Sequence, residues 1–209
     1  PVLATYRLYF RFFHRLRVKS LHHIPATGSV VLAGNHQSHY DPPLANVAVV
    51  REVRWMAWNA LFKVSFLEYF MTAVGAFPVD TERAGRDTVR SARQVLDEGL
   101  VLGIFPEAGR ASLGGQMAPF KQGAMRFAAL IGAPIVPYCI EGAYRAWPKG
   151  RWLPWPGRIT VCYRPLVPPP ADHRDKSQVQ AVSDAVRKSI DRRLQPALRA
   201  QEAVPVVAD

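Results

Sequence analysis

The sequence predicts an α/β fold: a single domain with a mostly buried mixed sheet flanked by helices. Three observations carry this. Short apolar, β-branched runs recur along the chain, segments of helical periodicity alternate with them, and Gly or Pro marks many junctions. Strands alternating with helices build a sheet covered on both faces. The chain has 209 residues, 49% of them hydrophobic, enough to bury a core without covalent staples.

The elements follow in chain order. Residues 3 to about 18 read as a basic amphipathic N-terminal helix, with Arg7, Arg11 and Arg15 at i, i+4 spacing beside an apolar arc of Tyr6, Tyr9, Phe10, Phe13 and Leu16. This sets residues 1–20, a membrane-facing helix, apart from a domain over residues 21–209. An arc packed on the domain fits the same pattern. After Pro25-Ala26-Thr27-Gly28, residues 29–34 read as a buried strand that delivers Asn35 and His36 to its end. Pro42 and Pro43 suit the first turn of a helix running to about Val50. Further strands are expected at 53–58, 73–79, 100–105, 135–140 and 159–163. Helices are expected at 87–98, with Gly99 as the stop, and at 120–131. Ser177 with Gln180 resembles a capping box for a last helix, whose Val179, Val182, Val186, Ile190 and Leu194 form a core-facing stripe.

Composition narrows the partners. The formal charge is +11, and Arg7, Arg11, Arg15, Arg17 and Lys19 all precede the first acid, Asp41. Such a balance favours anionic partners: a membrane surface, a phosphorylated substrate or nucleic acid. No nucleic-acid motif accompanies the charge, so nucleic acid is not an expected partner. Cys139 and Cys162 lie inside apolar runs and read as small buried hydrophobes in a reducing compartment. The stretch 127–140 is broken by Gly132, Pro134 and Pro137 and falls short of the roughly 18–20 apolar residues of a spanning helix. No secretory leader is recognisable.

Two segments carry chemistry. In Asn35-His36-Gln37-Ser38-His39-Tyr40-Asp41, the histidine and aspartate would stand about 140° apart on a regular helix, so they meet only if the chain turns between them. Asp41 precedes a proline, which disfavours helical geometry and supplies that turn. Asp41 can then accept a bond from one ring nitrogen of His36, leaving the other to take a proton from a substrate hydroxyl. In the competing reading Asp41 is only the N-cap of the following helix. His39 shares the loop and could join His36 and Asp41 on a metal, but no further ligand cluster supports this. The second segment, Phe105-Pro106-Glu107-Ala108-Gly109-Arg110, follows an apolar run and so falls at a strand's C-terminal end, where α/β sheets bind ligands. An arginine there can clamp a phosphate; an ordinary loop ion pair is the alternative. Arg83, Arg86 and Lys121 add nearby cations.

Taken in order, these segments resemble the blocks of the glycerolipid acyltransferase family, which contains bacterial 1-acyl-glycerol-3-phosphate acyltransferases. Residues 35–41 are similar to its first block, 75–83 to its second, 105–110 to its third and 135–142 to its fourth, while Phe120-Lys121 with Gly123 matches a further common stretch. The resemblance implies transfer of a fatty acyl group from acyl-CoA or acyl carrier protein to a hydroxyl of lysophosphatidic acid or a related lysolipid. It implies His36 as general base, Asp41 as its orienting partner, and Glu107, Arg110, Arg83 and Lys121 as substrate-binding residues. Neither a metal nor another cofactor is implied, and the protein would work peripherally at the cytoplasmic side of the membrane. A peripheral membrane-binding protein with a non-functional acyltransferase site is the alternative. Three departures stand out. The usual Glu-Gly-Thr-Arg of the third block is Glu107-Ala108-Gly109-Arg110 here, Thr81 stands where the second block usually has arginine, and Trp58-Asn59 stands where lysine is common.

Overall fold

The structure, a computed structural model, describes residues 2–80, 85–110 and 115–202. Its strands are β1 (Arg17–Lys19), β2 (Val30–Gly34), β3 (Val53–Trp58), β4 (Ala76–Val79), β5 (Val101–Ile104), β6 (Ile135–Glu141) and β7 (Thr160–Tyr163). They form one sheet in the order β1-β7-β6-β2-β5-β3-β4. From β6 to β4 every pair is parallel, whereas β7 runs antiparallel to β6 and carries β1 parallel to itself. The sheet is therefore mixed, with β2 at its centre.

The helices are α1 (Val2–Phe13), α2 (Asp41–Ala48), α3 (Ser65–Ala73), α4 (Arg86–Asp97), α5 (Gln122–Ile131), α6 (Ala143–Ala146) and α7 (Lys176–Glu202). Side chains alternate across a strand with period two, and the central strand feeds two cores in this way. Val30 and Leu32 join Phe10, Leu44 and Trp55 on one face, while Val31 and Ala33 join Ala92, Met125, Val186 and Ile190 on the other. Burial on both faces explains why β2 and β5 read as continuous apolar runs rather than as alternating ones. Cys139 and Cys162 face each other across β6 and β7 as buried free thiols. Among the described residues no helix is long and apolar enough to cross a membrane.

Several boundaries depart from the sequence reading. The first helix stops at Phe13 rather than near Val18, because Arg15 adopts a left-handed φ of 45° and the Leu16 N–H folds back to the Phe10 carbonyl at 3.0 Å. Arg17–Lys19 then enter the sheet as β1, so Arg15 is not stacked on Arg7 and Arg11. The strand expected over 73–79 begins only at Ala76, since Ala73 closes α3, a helix the sequence reading missed. The last helix is capped by Asp175 instead of Ser177: Asp175 Oδ1 accepts the Ser177 N–H at 2.8 Å, and Gln178 Nε2 donates to Asp175 Oδ2 at 3.0 Å.

The reversal into β7 depends on Gly142. Its φ is +87°, and a Cβ there would lie 2.2 Å from the Arg158 carbonyl oxygen. Gly142→Ala should therefore destabilise the protein by about 2–4 kcal/mol, since a left-handed residue and a backbone overlap both have to be accommodated. Chemical denaturation measures this, and an unchanged midpoint would refute the close approach.

Candidate active site

The site is assembled where β2 and β5 end side by side, in the crevice at the carboxyl ends of the parallel strands. Asn35 closes β2 by bonding β6 twice: Nδ2 donates to the Ile140 carbonyl at 3.0 Å and Oδ1 accepts the Ile140 N–H at 2.7 Å. The chain then turns, and Asp41, fully buried at 0% exposure, comes back onto His36. Asp41 Oδ2 accepts the backbone N–H groups of Gln37 at 2.6 Å and Ser38 at 2.7 Å. An oxygen that receives two amide donors is an acceptor, so His36 Nδ1, 2.8 Å from the same oxygen, carries the proton and donates it. Nε2 is then the basic nitrogen.

This geometry decides between the two readings of Asp41. The carboxylate serves the turn that precedes α2, and no side chain caps the first amides of that helix. Asp41 itself begins α2, with Pro42 directly behind it.

The imidazole is held by stacking as well. Its ring lies 4.1 Å from Phe105 at 15°, and Phe105 lies 4.9 Å from Trp55 at 14°. Gly103, the register partner of Trp55, makes room for the indole, because a Cβ there would be 2.4 Å from the ring. Trp55 Nε1 donates to Asn46 Oδ1 at 2.7 Å, and Asn46 Nδ2 donates to the Val74 carbonyl at 2.8 Å.

Glu107 has a different setting from the head-group contact expected of it. It is 3% exposed, and both oxygens are engaged: Oε1 accepts the His36 N–H at 2.6 Å and Oε2 the Ala118 N–H at 2.7 Å. It thus ties the His36 turn to the segment before α5. Burial pushes its pKa up to about 7, against the pull of those two amides, and the nearby Asp41 charge raises it further.

Arg110 is half-buried and its guanidinium rests on the ring of His39. His39 is pulled down to about 4, first by burial and then by the neighbouring Arg110 guanidinium, so it is neutral at physiological pH. Its ring also lies 5.0 Å from Trp147. Among the described residues no three His, Cys, Asp or Glu side chains are placed to share a metal. Lys121 is exposed, and its N–H donates to the Pro106 carbonyl at 2.8 Å, which sets it beside the Glu107 segment. Arg83 lies outside the described residues.

The sequence reading missed the Phe105 stack, the Ala118 contact and the pairing of Arg110 with His39. Phe105 stood inside a recognised segment, but nothing in the sequence marks Ala118, which acts through its backbone alone. The unusual third block has a structural correlate: Ala108 carries a left-handed φ of 53°, at the position where the common pattern has glycine.

Comparison with known proteins agrees with this architecture. The family model described as Acyltransferase matches residues 15–141, more than half of the chain, and the chain belongs to that family. It is 30% identical over 128 residues to the 1-acyl-sn-glycerol-3-phosphate acyltransferase of Bacillus subtilis, a match covering 61% of this chain and 63% of that protein. It is 29% identical over 190 residues to 1-acyl-sn-glycerol-3-phosphate acyltransferase alpha of Mus musculus, covering 84% of this chain and 62% of that one. The chain thus spans less than two thirds of the length of these relatives. The crystal structure of the 1-acyl-sn-glycerophosphate (LPA) acyltransferase PlsC from Thermotoga maritima shares the fold, with a TM-score of 0.72 at 24% identity over 98% of this chain and 81% of that one.

Two substitutions test the local geometry. A carboxyl whose folded pKa of about 7 exceeds its ordinary value of 4.5 favours the fold most below the lower value, and that advantage is lost as pH rises through the higher one. Glu107→Gln should remove this downward slope of stability between those values. It should also cost about 1–3 kcal/mol, because the amide NH2 faces a backbone N–H. Denaturant titrations on either side of the window test both effects, and a variant with the wild-type slope would refute the assignment. Ala108→Gly should stabilise the protein by up to about 1 kcal/mol by relieving the left-handed alanine, read as a raised melting temperature.

Proposed function

We propose that the chain is an O-acyltransferase that moves a fatty acyl group from acyl-CoA or acyl carrier protein to a hydroxyl of lysophosphatidic acid or a related lysolipid. The observation that carries this reading is the commitment of His36 Nδ1 to Asp41 Oδ2, an oxygen already fixed by two backbone amides. Asp41 thereby fixes the tautomer that leaves Nε2 basic.

His36 Nε2 takes the proton of the acceptor hydroxyl as its oxygen attacks the thioester carbonyl carbon. The tetrahedral oxyanion collapses, the carbon–sulfur bond breaks, and the leaving thiolate receives the proton held on the imidazolium. No acyl-enzyme forms, in keeping with the lack of a Gly-x-Ser-x-Gly nucleophile segment. Arg110 binds the acceptor phosphate, with Arg83 and Lys121 as further cationic partners. Glu107 contributes to acceptor binding by holding the His36 backbone rather than by touching the head group, a role supported by its burial and its two amide bonds.

The protein works as a peripheral protein on the cytoplasmic side of the membrane, with residues 1–20 facing lipid through the exposed side of α1, while β1 at the end of that segment joins the sheet of the acyltransferase domain formed by residues 21–209. Support comes from α1, the basic amphipathic helix. Phe10 is buried against the domain, while Leu8 and Phe12 stay exposed, Phe12 at 75%, along a groove shared with Thr5, Tyr9 and Phe13.

Thiol release from palmitoyl-CoA with lysophosphatidic acid as acceptor tests the reading. His36→Ala should lower turnover roughly 10²- to 10⁴-fold while the protein remains folded, and Asp41→Asn should also be severely impaired. Wild-type turnover in His36→Ala would reject His36 as the base. Vesicle binding without thiol release by the wild-type protein, across a panel of lysolipids, would favour the non-enzymatic alternative.

A further inference from the structure

We propose that residues 147–158, the segment joining α6 to β7, form a second membrane anchor, in which Trp152, Leu153 and Trp155 enter the head-group region of an anionic bilayer. The inference rests on the reading of the substrate as a lipid, and it adds an element separate from α1.

Trp152 is 93% exposed, Leu153 72% and Trp155 68%. Three large apolar side chains within four residues, all turned to solvent, form a patch of the kind soluble monomers avoid. Tryptophan, with a broad apolar body and one polar N–H, suits the boundary between water and lipid. Lys149, Arg151 and Arg158 flank the patch and are exposed as well, so the same segment offers positive charge to anionic head groups.

The segment is built rather than loose. Trp147 Nε1 donates to the Arg151 carbonyl at 2.9 Å, Arg151 Nη1 to the Arg145 carbonyl at 3.1 Å, and the Trp155 N–H to the Ala146 carbonyl at 2.8 Å. Pro148, Pro154 and Pro156 restrict the rest of the backbone. Little ordering therefore remains to oppose insertion.

Its position matches a lipid substrate. Thr160 pairs with both Glu141 and Arg17, so the segment before β7 and the end of α1 emerge at the rim where β2 and β5 deliver His36 and Glu107. Trp58, half exposed, ends β3 at this same rim on the far side of the site. The segment that carries Trp152 and Trp155 and the strand end that carries Trp58 thus emerge at the same rim as the crevice. The base of the segment also touches the catalytic turn: Ser38 Oγ donates to the Trp147 carbonyl at 2.8 Å, and the Trp147 ring lies 4.9 Å from Tyr40. A bilayer gripping this segment would hold the turn at the lipid surface.

The test is sedimentation of the full chain with vesicles of equal parts phosphatidylcholine and phosphatidylglycerol, with neither acyl donor nor acceptor present. Combined Trp152→Ala, Leu153→Ala and Trp155→Ala should weaken binding roughly a hundredfold without altering the melting curve. The single variants Trp152→Ala and Leu153→Ala should shift affinity in the same direction and serve if the triple variant misfolds. Val50→Ala removes an 89% exposed side chain at the opposite rim and should leave affinity unchanged. Brominated acyl chains should quench wild-type tryptophan emission. Wild-type vesicle affinity in folded loop variants would overturn the proposal, as would absence of quenching. Conversion of a wild-type dimer to a monomer by the triple variant would assign the patch to a second copy instead. Because no turnover is measured, failure of acyl transfer and failure of the anchor are separate results.

Discussion

One oxygen of Asp41 receives three donors, the amides of Gln37 and Ser38 and the imidazole N–H of His36, in a place that water does not reach. A polar group so buried needs such donors, and the turn needs the carboxylate to satisfy its amides. The local fold and the tautomer of the imidazole are therefore one arrangement. The prolines reinforce it: Pro42 and Pro43 have no N–H to offer, so the opening of α2 does not compete for the charge. The other oxygen, Oδ1, has no partner among the described residues, which leaves the attraction concentrated on the side that faces His36.

Around that contact the sheet joins two distant parts of the chain. β2 and β5 are adjacent, and Glu107 reaches from the end of one to the backbone just past the end of the other. Its second bond, to Ala118, carries the link on toward α5. Asn35 makes the corresponding connection to β6 on the opposite side. The turn that presents His36 is thus clamped from both neighbouring strands, and its geometry does not depend on the loop residues alone.

Much of this was legible in the sequence, for identifiable reasons. Strands buried on both faces announce themselves as apolar runs, and the parallel core elements fell within a few residues of their expected limits. The pairing of His36 with Asp41 was readable because the two prolines mark a helix start and the chain must turn before it, although Asp41 itself is helical, against the bias expected of a residue before proline. What escaped depends on tertiary contacts. β1 is three exposed residues whose strand character comes entirely from pairing with β7. The end of α1 follows from a left-handed arginine that no propensity favours. Glu107 was assigned to substrate binding by resemblance to the family's third block; both its oxygens meet backbone amides, 71 and 11 residues away. Exposed tryptophans beyond α6 resemble core residues until the fold shows that none of the described residues covers them.

The ring stack beneath His36 has a consequence for reactivity. From Val74 through Asn46 and Trp55 to Phe105, each group is fixed by the one before it, by hydrogen bonds at one end and face-to-face aromatic contact at the other. An imidazole resting on such a column has little freedom to tilt, so its in-plane lone pair keeps a constant bearing. The entropy of fixing the ring in one orientation is lost once, when the chain folds.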